Sequence, residues 1–132
     1  MASYHFTITV QGSHETVAKK TKEALADHGF GIVSEIDMSA VIAEKLGVQQ
    51  DPYLILGACN PGFAQMVVAR EPSVGVLLPC NVVVRSAGDD RVTVDFMDPA
   101  VIIDLVGEDE IVDLAHEVRT RLEMTRDTIA AA

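Results

Sequence analysis

The sequence contains no tryptophan, only two cysteines and no long uninterrupted apolar segment. Two cysteines are too few for a secreted scaffold held together by disulfides. A membrane-spanning helix needs about 18 or more consecutive apolar residues, and no stretch approaches that length. The first ten residues, MASYHFTITV, have neither a basic segment nor a long apolar one. We therefore expect no signal peptide and a cytoplasmic location.

Basic residues are scarce as well, since 10 Lys and Arg stand against 20 Asp and Glu and give a formal net charge of −10. Phosphate groups are neutralised by Lys and Arg, so this charge argues against nucleic acid and membrane surfaces as partners. The chain also has no glycine-rich phosphate loop and no CxxC pair. We predict no cofactor, and the sequence assigns no metal site.

What is present indicates one soluble domain over residues 1–132, because 48% of the residues are hydrophobic and the chain is long enough to bury a core. Apolar alternation predicts strands, and helical periodicity with capping residues predicts helices. We predict strands at 4–10, 31–38, 53–58, 74–85 and 92–97, and helices at 13–28, 39–46, 60–70, 98–106 and from about 108 onward. Ser39 is the predicted N-cap of the second helix.

This order predicts an α+β fold of the form β-α-β4-α with short helical insertions, in which helices pack on one face of a mostly antiparallel, curved sheet. The last helix carries an apolar stripe with 4-3 spacing that should face the sheet. Its members are Ile111, Ala115, Val118, Leu122, Thr125 and Ile129.

The predicted strand 74–85 is apolar on both faces, with Val82 and Val84 on one and Leu77 and Val83 on the other. A sheet covered on one face only would have polar residues at alternate positions. Either more of the chain covers the other face or a second copy does, and we expect a second copy, in a homodimer.

Two Cys-Asn dipeptides are the most informative local feature. Cys59-Asn60 precedes Pro61, and Asn followed by Pro is a strong signal for a helix start. A thiolate gains from the backbone N–H groups at such a start, which lowers the thiol pKa. Cys80-Asn81 follows Pro79. Three interpretations remain open for the two cysteines: small buried hydrophobes, reactive thiols, or ligands of a soft metal.

The remaining polar candidates are weaker. Glu35 and Asp37 alternate on a predicted strand, and such a pair suits acid–base catalysis or cation binding, but more often lies on a solvated face. His14 and His116 are expected to be exposed, and His28 would join the cysteines only through tertiary folding. No catalytic residue is assigned, and the sequence does not decide whether the protein is an enzyme.

The segment Tyr53–Pro61, with the later Gly75–Val84 and the earlier Gly29–Gly31 and Glu35–Asp37, resembles the bacterial and archaeal Domain-of-Unknown-Function 302 family. The resemblance extends over essentially the whole chain. It implies the TATA-box-binding-protein-like arrangement of strand, helix, four strands and helix. It implies no activity, and DNA binding is not carried over from the fold.

Three functional hypotheses follow. The first is a dimeric small-molecule-binding module with a cleft near the two Cys-Asn turns. Its candidate binding residues are Tyr53, Cys59, Asn60, Phe63, Cys80 and Asn81. The second is thiol redox chemistry, sulfur transfer or soft-metal binding by Cys59 and Cys80. The third is a non-catalytic protein-interaction module.

Overall fold

The computed structural model describes residues 3–132. Met1 and Ala2, at the start of the segment in which we expect no signal peptide, lie outside the described residues. The strands are β1 (His5–Gln11), β2 (Gly31–Asp37), β3 (Tyr53–Cys59), β4 (Cys80–Gly88) and β5 (Arg91–Met97). The helices are α1 (His14–Asp27), α2 (Met38–Leu46), α3 (Pro61–Arg70), α4 (Ala100–Val106) and α5 (Asp109–Ala131), with a 3₁₀ helix at Pro72–Leu77.

The five strands form one sheet in the order β1-β5-β4-β3-β2, and every neighbouring pair is antiparallel. Side chains alternate across it, as pleating requires. One face is buried under the helices, with Val82 and Val84 on β4 beside Val94 and Phe96 on β5. The predicted α+β fold, with helices packed on an antiparallel sheet, is confirmed.

The opposite face, called here the open face, carries the alternate residues of the same strands. On it lie His5, Thr7, Tyr53, Ile55, Asn81, Val83, Arg85, Thr93, Asp95 and Met97. Most of these side chains are half-buried or exposed, and Thr93 is buried. The sheet therefore offers a mixed polar and apolar surface on this side.

Helix α5 packs through the predicted stripe. All six of its members are buried, which confirms the periodicity argument. The helix lies against α1, α3, α4 and β1. Its central residue Val118 also reaches the end of β3, where the candidate site lies.

The predicted strand over 74–85 is wrong in its first part. Residues Pro72–Leu77 form a 3₁₀ helix, closed by hydrogen bonds from Val74 N–H to the Glu71 carbonyl and from Leu78 N–H to the Gly75 carbonyl, and β4 begins only at Cys80. Val76 is 87% exposed. Local i to i+3 hydrogen bonds thus replace ladder bonds in an apolar segment that Pro72 and Pro79 bracket.

Because the apolar residues before Cys80 are not in the sheet, β4 has little apolar surface on its second face. On β4 itself the open face carries Asn81, Val83 and Arg85, so Val83 is its single apolar member. The homodimer stays a prediction.

The predicted cap of α2 is also wrong. Asp37, not Ser39, is the N-cap, and its Oδ1 accepts hydrogen bonds from the Ser39 hydroxyl at 2.6 Å and from the Ala40 N–H at 2.9 Å. These bonds hold the pKa of Asp37 below its usual value, with the Ser39 bond as the larger cause. A carboxylate competes well with a hydroxyl for this position because it also suits the positive end of the helix dipole.

Candidate functional site

The two Cys-Asn dipeptides meet at one end of the sheet, where β3 runs into α3 and β4 begins. Asn60 is the N-cap of α3, its Oδ1 accepts a hydrogen bond from the Phe63 N–H at 3.1 Å, and Pro61 occupies the first turn. The predicted helix start and its end at Arg70 are confirmed. Ala58 and Cys80 are directly opposite each other on β3 and β4, so the two dipeptides are neighbours in space.

A cavity of about 240 Å³ lies at this junction. Four of the six predicted binding residues line it: Cys59, Asn60, Phe63 and Cys80. The wall is completed mainly by apolar side chains from β2, β4, α3, α5 and the neighbouring turns, among them Phe30, Val33, Ala64, Leu78, Pro79 and Val118. Most of the polar atoms that a charged ligand would need are therefore missing from the wall.

The two cysteines are both free thiols, but they occupy different environments. Cys80 is only 4% exposed and Cys59 is half-buried. Burial, together with the neighbouring Cys59 thiol, raises the pKa of Cys80 to about 12. Cys80 is therefore a neutral thiol at physiological pH, whereas nucleophiles and metal ligands are thiolates.

The thiol environments predict the order of chemical labelling. In native protein at pH 8, iodoacetamide should alkylate Cys80 about tenfold or more slowly than Cys59, because Cys80 is buried and protonated. Site-resolved mass spectrometry over time measures both rates. In 6 M guanidinium the two rates should converge. Equal rates in the native protein would contradict the buried, neutral state of Cys80.

The other two predicted binding residues, Tyr53 and Asn81, lie on the open face. They line a separate depression of about 470 Å³ together with Tyr4, His5, Val83, Arg85, Asp95 and Met97. The sequence interpretation placed all six residues at one cleft because Asn81 follows Cys80. Strand pleating separates Asn81 from Cys80, since successive side chains of β4 point to opposite faces, and Tyr53 lies at the other end of β3 from Cys59.

A polar network on the open face was missed by the sequence analysis. The Thr7 hydroxyl donates to Asp95 Oδ1 at 2.6 Å and the Arg85 Nε–H donates to Asp95 Oδ2 at 2.7 Å, while His5 Nδ1 lies 3.0 Å from the Thr7 hydroxyl oxygen. Partial burial opposes ionisation of Asp95, but the hydrogen bonds from Arg85 and Thr7 outweigh it and hold the pKa of this carboxyl below its usual value. In the sequence, this network is indicated by the polar residues at alternate positions of β1 and β5, such as Thr7 and Asp95.

The remaining polar candidates have structural partners. Glu35 pairs with Lys22 at 2.7 Å and Asp37 caps α2, so both carboxylates have roles outside catalysis. His14 is half-buried rather than exposed, and its Nε2 lies 2.8 Å from the carbonyl oxygen of Val84, to which it donates. His116 is exposed as predicted.

His28 lies near α5 rather than beside a thiol, with its Nε2 2.9 Å from the Thr128 hydroxyl oxygen. Within residues 3–132, no group of three or more His, Cys, Asp or Glu side chains is arranged to hold a metal ion. Over the same range, no helix has the length and apolar character needed to span a bilayer.

Comparison with known proteins gives a family and a related structure. Residues 6–129 match the family described as Domain of unknown function DUF302. The chain is similar to an uncharacterized conserved DUF302 protein from Bacillus stearothermophilus, known from a crystal structure. The TM-score is 0.86 at 25% sequence identity, and the similarity covers 97% of this chain and 99% of that chain. No curated protein matches.

Proposed function

The chain belongs to the Domain of unknown function DUF302 family, and from that premise we propose that it binds a small molecule in the cavity between β3, α3 and α5. The observation that carries the proposal is the cavity itself, placed at the junction of both Cys-Asn turns and lined by Cys59, Asn60, Phe63 and Cys80. Ligand sites are concave and largely apolar, with a few polar groups that fix orientation.

The size and lining of the cavity favour a compact, uncharged ligand. Its volume is about 240 Å³, whereas an apolar cavity of roughly 150 Å³ already holds benzene. A single aromatic ring or a small bicyclic compound therefore fits. Phe30, Phe63 and Val118 are each at most 6% exposed, so they form the inner part of the wall and supply dispersion contacts.

Polar contacts to such a ligand come from the side where α3 begins. Asn60 lines the cavity, and its Oδ1 is already used by the Phe63 N–H. Its amide nitrogen is the group left to donate a hydrogen bond, because the amide side chain has two N–H bonds beside its carbonyl oxygen. An acceptor atom on the ligand, or the face of an aromatic ring such as that of indole, would accept this hydrogen bond.

The thiol and soft-metal hypotheses receive less support. Cys80 is buried with a raised pKa, which suits a cavity wall better than a nucleophile or a resolving thiol. Cys59 would then have no reactive second thiol, so we favour ligand binding over thiol chemistry.

Filling the cavity should weaken binding. Ala64 lines the cavity from α3 and is half-buried, so Ala64→Leu places a larger side chain within it. We expect the affinity for indole, a compact apolar probe, to fall about tenfold or more, because the volume for the ring is lost. Isothermal titration calorimetry on the full chain measures the dissociation constant.

The matched control is Ala69→Leu on the exposed side of the same helix. This variant should bind indole as the unchanged protein does and unfold at the same temperature. Equal affinity of both leucine variants, or an absence of saturable indole binding to the unchanged protein, would contradict the proposal.

The homodimer belongs to the same proposal, with β2 as the surface that meets the second copy. β2 is an outermost strand of the sheet, and its Val33 and Ile36 are 63% and 42% exposed. An exposed edge presents unpaired backbone groups that pair readily with another strand. Sedimentation velocity should give twice the chain mass of 14.2 kDa, and a monomer across the micromolar range would contradict this part.

A further inference from the structure

The depression on the open face has the dimensions of a second ligand site. Its volume is about 470 Å³, within the range of roughly 300–1,000 Å³ usual for small-molecule pockets. Tyr4 and His5 stand on the β1 side and Tyr53 on the β3 side. Between them run β5 and β4, so the walls are about 14 Å apart at three strand spacings.

The floor of this depression is apolar. Val83 and Met97, both half-buried, line it from β4 and β5. The Tyr4 ring packs against the His5 ring, with the two ring centroids 4.6 Å apart. The surface therefore combines aliphatic contact with aromatic edges, which suits a hydrocarbon or aromatic body lying along the sheet.

Arg85 is the charged group presented to this surface. Its Nε–H donates to Asp95 at 2.7 Å, while no hydrogen bond within residues 3–132 uses its Nη1 or Nη2. The side chain is 42% exposed. The Thr7 hydroxyl donates a hydrogen bond to Asp95 at 2.6 Å and holds this carboxylate in place. The hydrogen bond from Arg85 to Asp95 therefore restricts the orientation of the guanidinium.

A guanidinium anchored through Nε offers its two terminal nitrogens as a parallel pair of donors. That geometry matches the two oxygens of a carboxylate end-on. Asn81 lines the same depression four residues before Arg85 on β4, so its amide lies toward the other end of the depression. Because the chain carries a net charge of −10, the overall field opposes the binding of an anion, which must therefore rest on this local arrangement.

We infer that the open face holds a second binding site, for a small organic carboxylate with an apolar body, in which Arg85 binds the carboxylate and Val83 and Met97 contact the body. Asp95 is a positioning residue that orients Arg85. This site is independent of the cavity beside α3, because its residues lie on the other face of the sheet and its ligand carries a charge.

The test compares phenylacetate with phenylacetamide, which has the same body without the charge. Two-dimensional NMR of the full chain should show saturable shifts at Tyr53, Asn81 and Arg85 with phenylacetate. Phenylacetamide should bind about tenfold or more weakly, because a hydrogen bond to a charged partner is roughly twice as strong as a neutral one and here there are two. This comparison needs no variant and therefore does not depend on how a variant folds.

Substitutions then show which residue binds the carboxylate. Arg85→Met should weaken phenylacetate binding about tenfold, and Arg85→Lys should restore it only in part because lysine lacks the planar pair of donors. Arg91→Met is the matched control, since Arg91 lies on the same face of β5, exposed, four residues before Asp95. It removes the same charge and should leave binding unchanged.

Three results would overturn the inference: equal affinity for the acid and the amide, equal loss in the Arg91 and Arg85 variants, or shifts confined to the cavity residues Phe30 and Phe63. The indole experiment on Ala64→Leu reads the other site. Failure of one proposal therefore leaves the other standing.

Discussion

Replacing Phe96 with alanine is expected to lower the free energy of unfolding by about 3–5 kcal/mol, the usual range for a buried phenylalanine. Phe96 is fully buried on the helix-covered face of β5. Its ring stacks on that of Phe6, the directly opposite residue on β1, with centroids 5.2 Å apart and an interplanar angle of 12°. Truncation loses the free energy of burying the ring and the stacking on Phe6. It also removes packing that supports β1, an outermost strand of the sheet.

Urea denaturation followed by circular dichroism measures this loss. Met124→Ala is the control, because Met124 on α5 is 48% exposed and such surface changes stay within about 0.5 kcal/mol. If the Phe96 variant lost no more stability than the Met124 variant, the assignment of Phe96 to the centre of the core would be wrong.

Replacing Gly57 with valine is the second large effect, expected at about 2–3 kcal/mol of lost stability as overpacking. A Cβ atom at Gly57 would lie 2.8 Å from Pro79 Cγ and closer still to the Ser34 hydroxyl. The Pro79 ring is closed on its own backbone and can move little, whereas the exposed Ser34 side chain can change rotamer. The preference of valine for strands offsets only part of this clash.

Gly75→Val is the matched control, because a Cβ there meets no atom within 4 Å. Thermal unfolding of both variants separates a steric effect at Gly57 from the general effect of removing a glycine. Equal unfolding temperatures would show that the space at Gly57 between β2 and Pro79 can accept a larger side chain.

Local signals explain the parts of the fold that the sequence predicted well. The start of α3 depends only on the Asn60 side chain and the Pro61 ring. The hydrogen bond from the Phe63 N–H to Asn60 forms as expected. The stripe on α5 is set by helical periodicity alone, and all six members are buried. Neither inference requires knowledge of distant residues.

The failures share a different cause, because each depends on competition between residues or on tertiary pairing. Apolar composition predicted a strand through Val74–Leu77, but prolines on both sides favour a 3₁₀ turn there. At α2, both Asp37 and Ser39 are good caps, and geometry selected Asp37. The Thr7–Asp95–Arg85 network joins strands that are distant in sequence, through the register of β1, β5 and β4.

The candidate site was predicted only in part for the same reason. The two Cys-Asn turns meet because β3 and β4 are neighbours with Ala58 opposite Cys80, although α3 and the 3₁₀ helix lie between these two strands in the chain. Strand alternation then sends Asn81 to the other face, away from Cys80. The stripe on α5 indicates that Val118 faces the sheet, but where it meets Phe30 in the cavity wall depends on how α5 crosses the sheet.

The most direct test of the account is a two-dimensional NMR titration of the full chain with indole, read residue by residue. We predict saturable shifts centred on Phe30, Cys59, Phe63 and Val118, which line the cavity, and their loss in Ala64→Leu. Shifts that never saturate, or that are centred away from these residues, would contradict the claim that this cavity is a binding site.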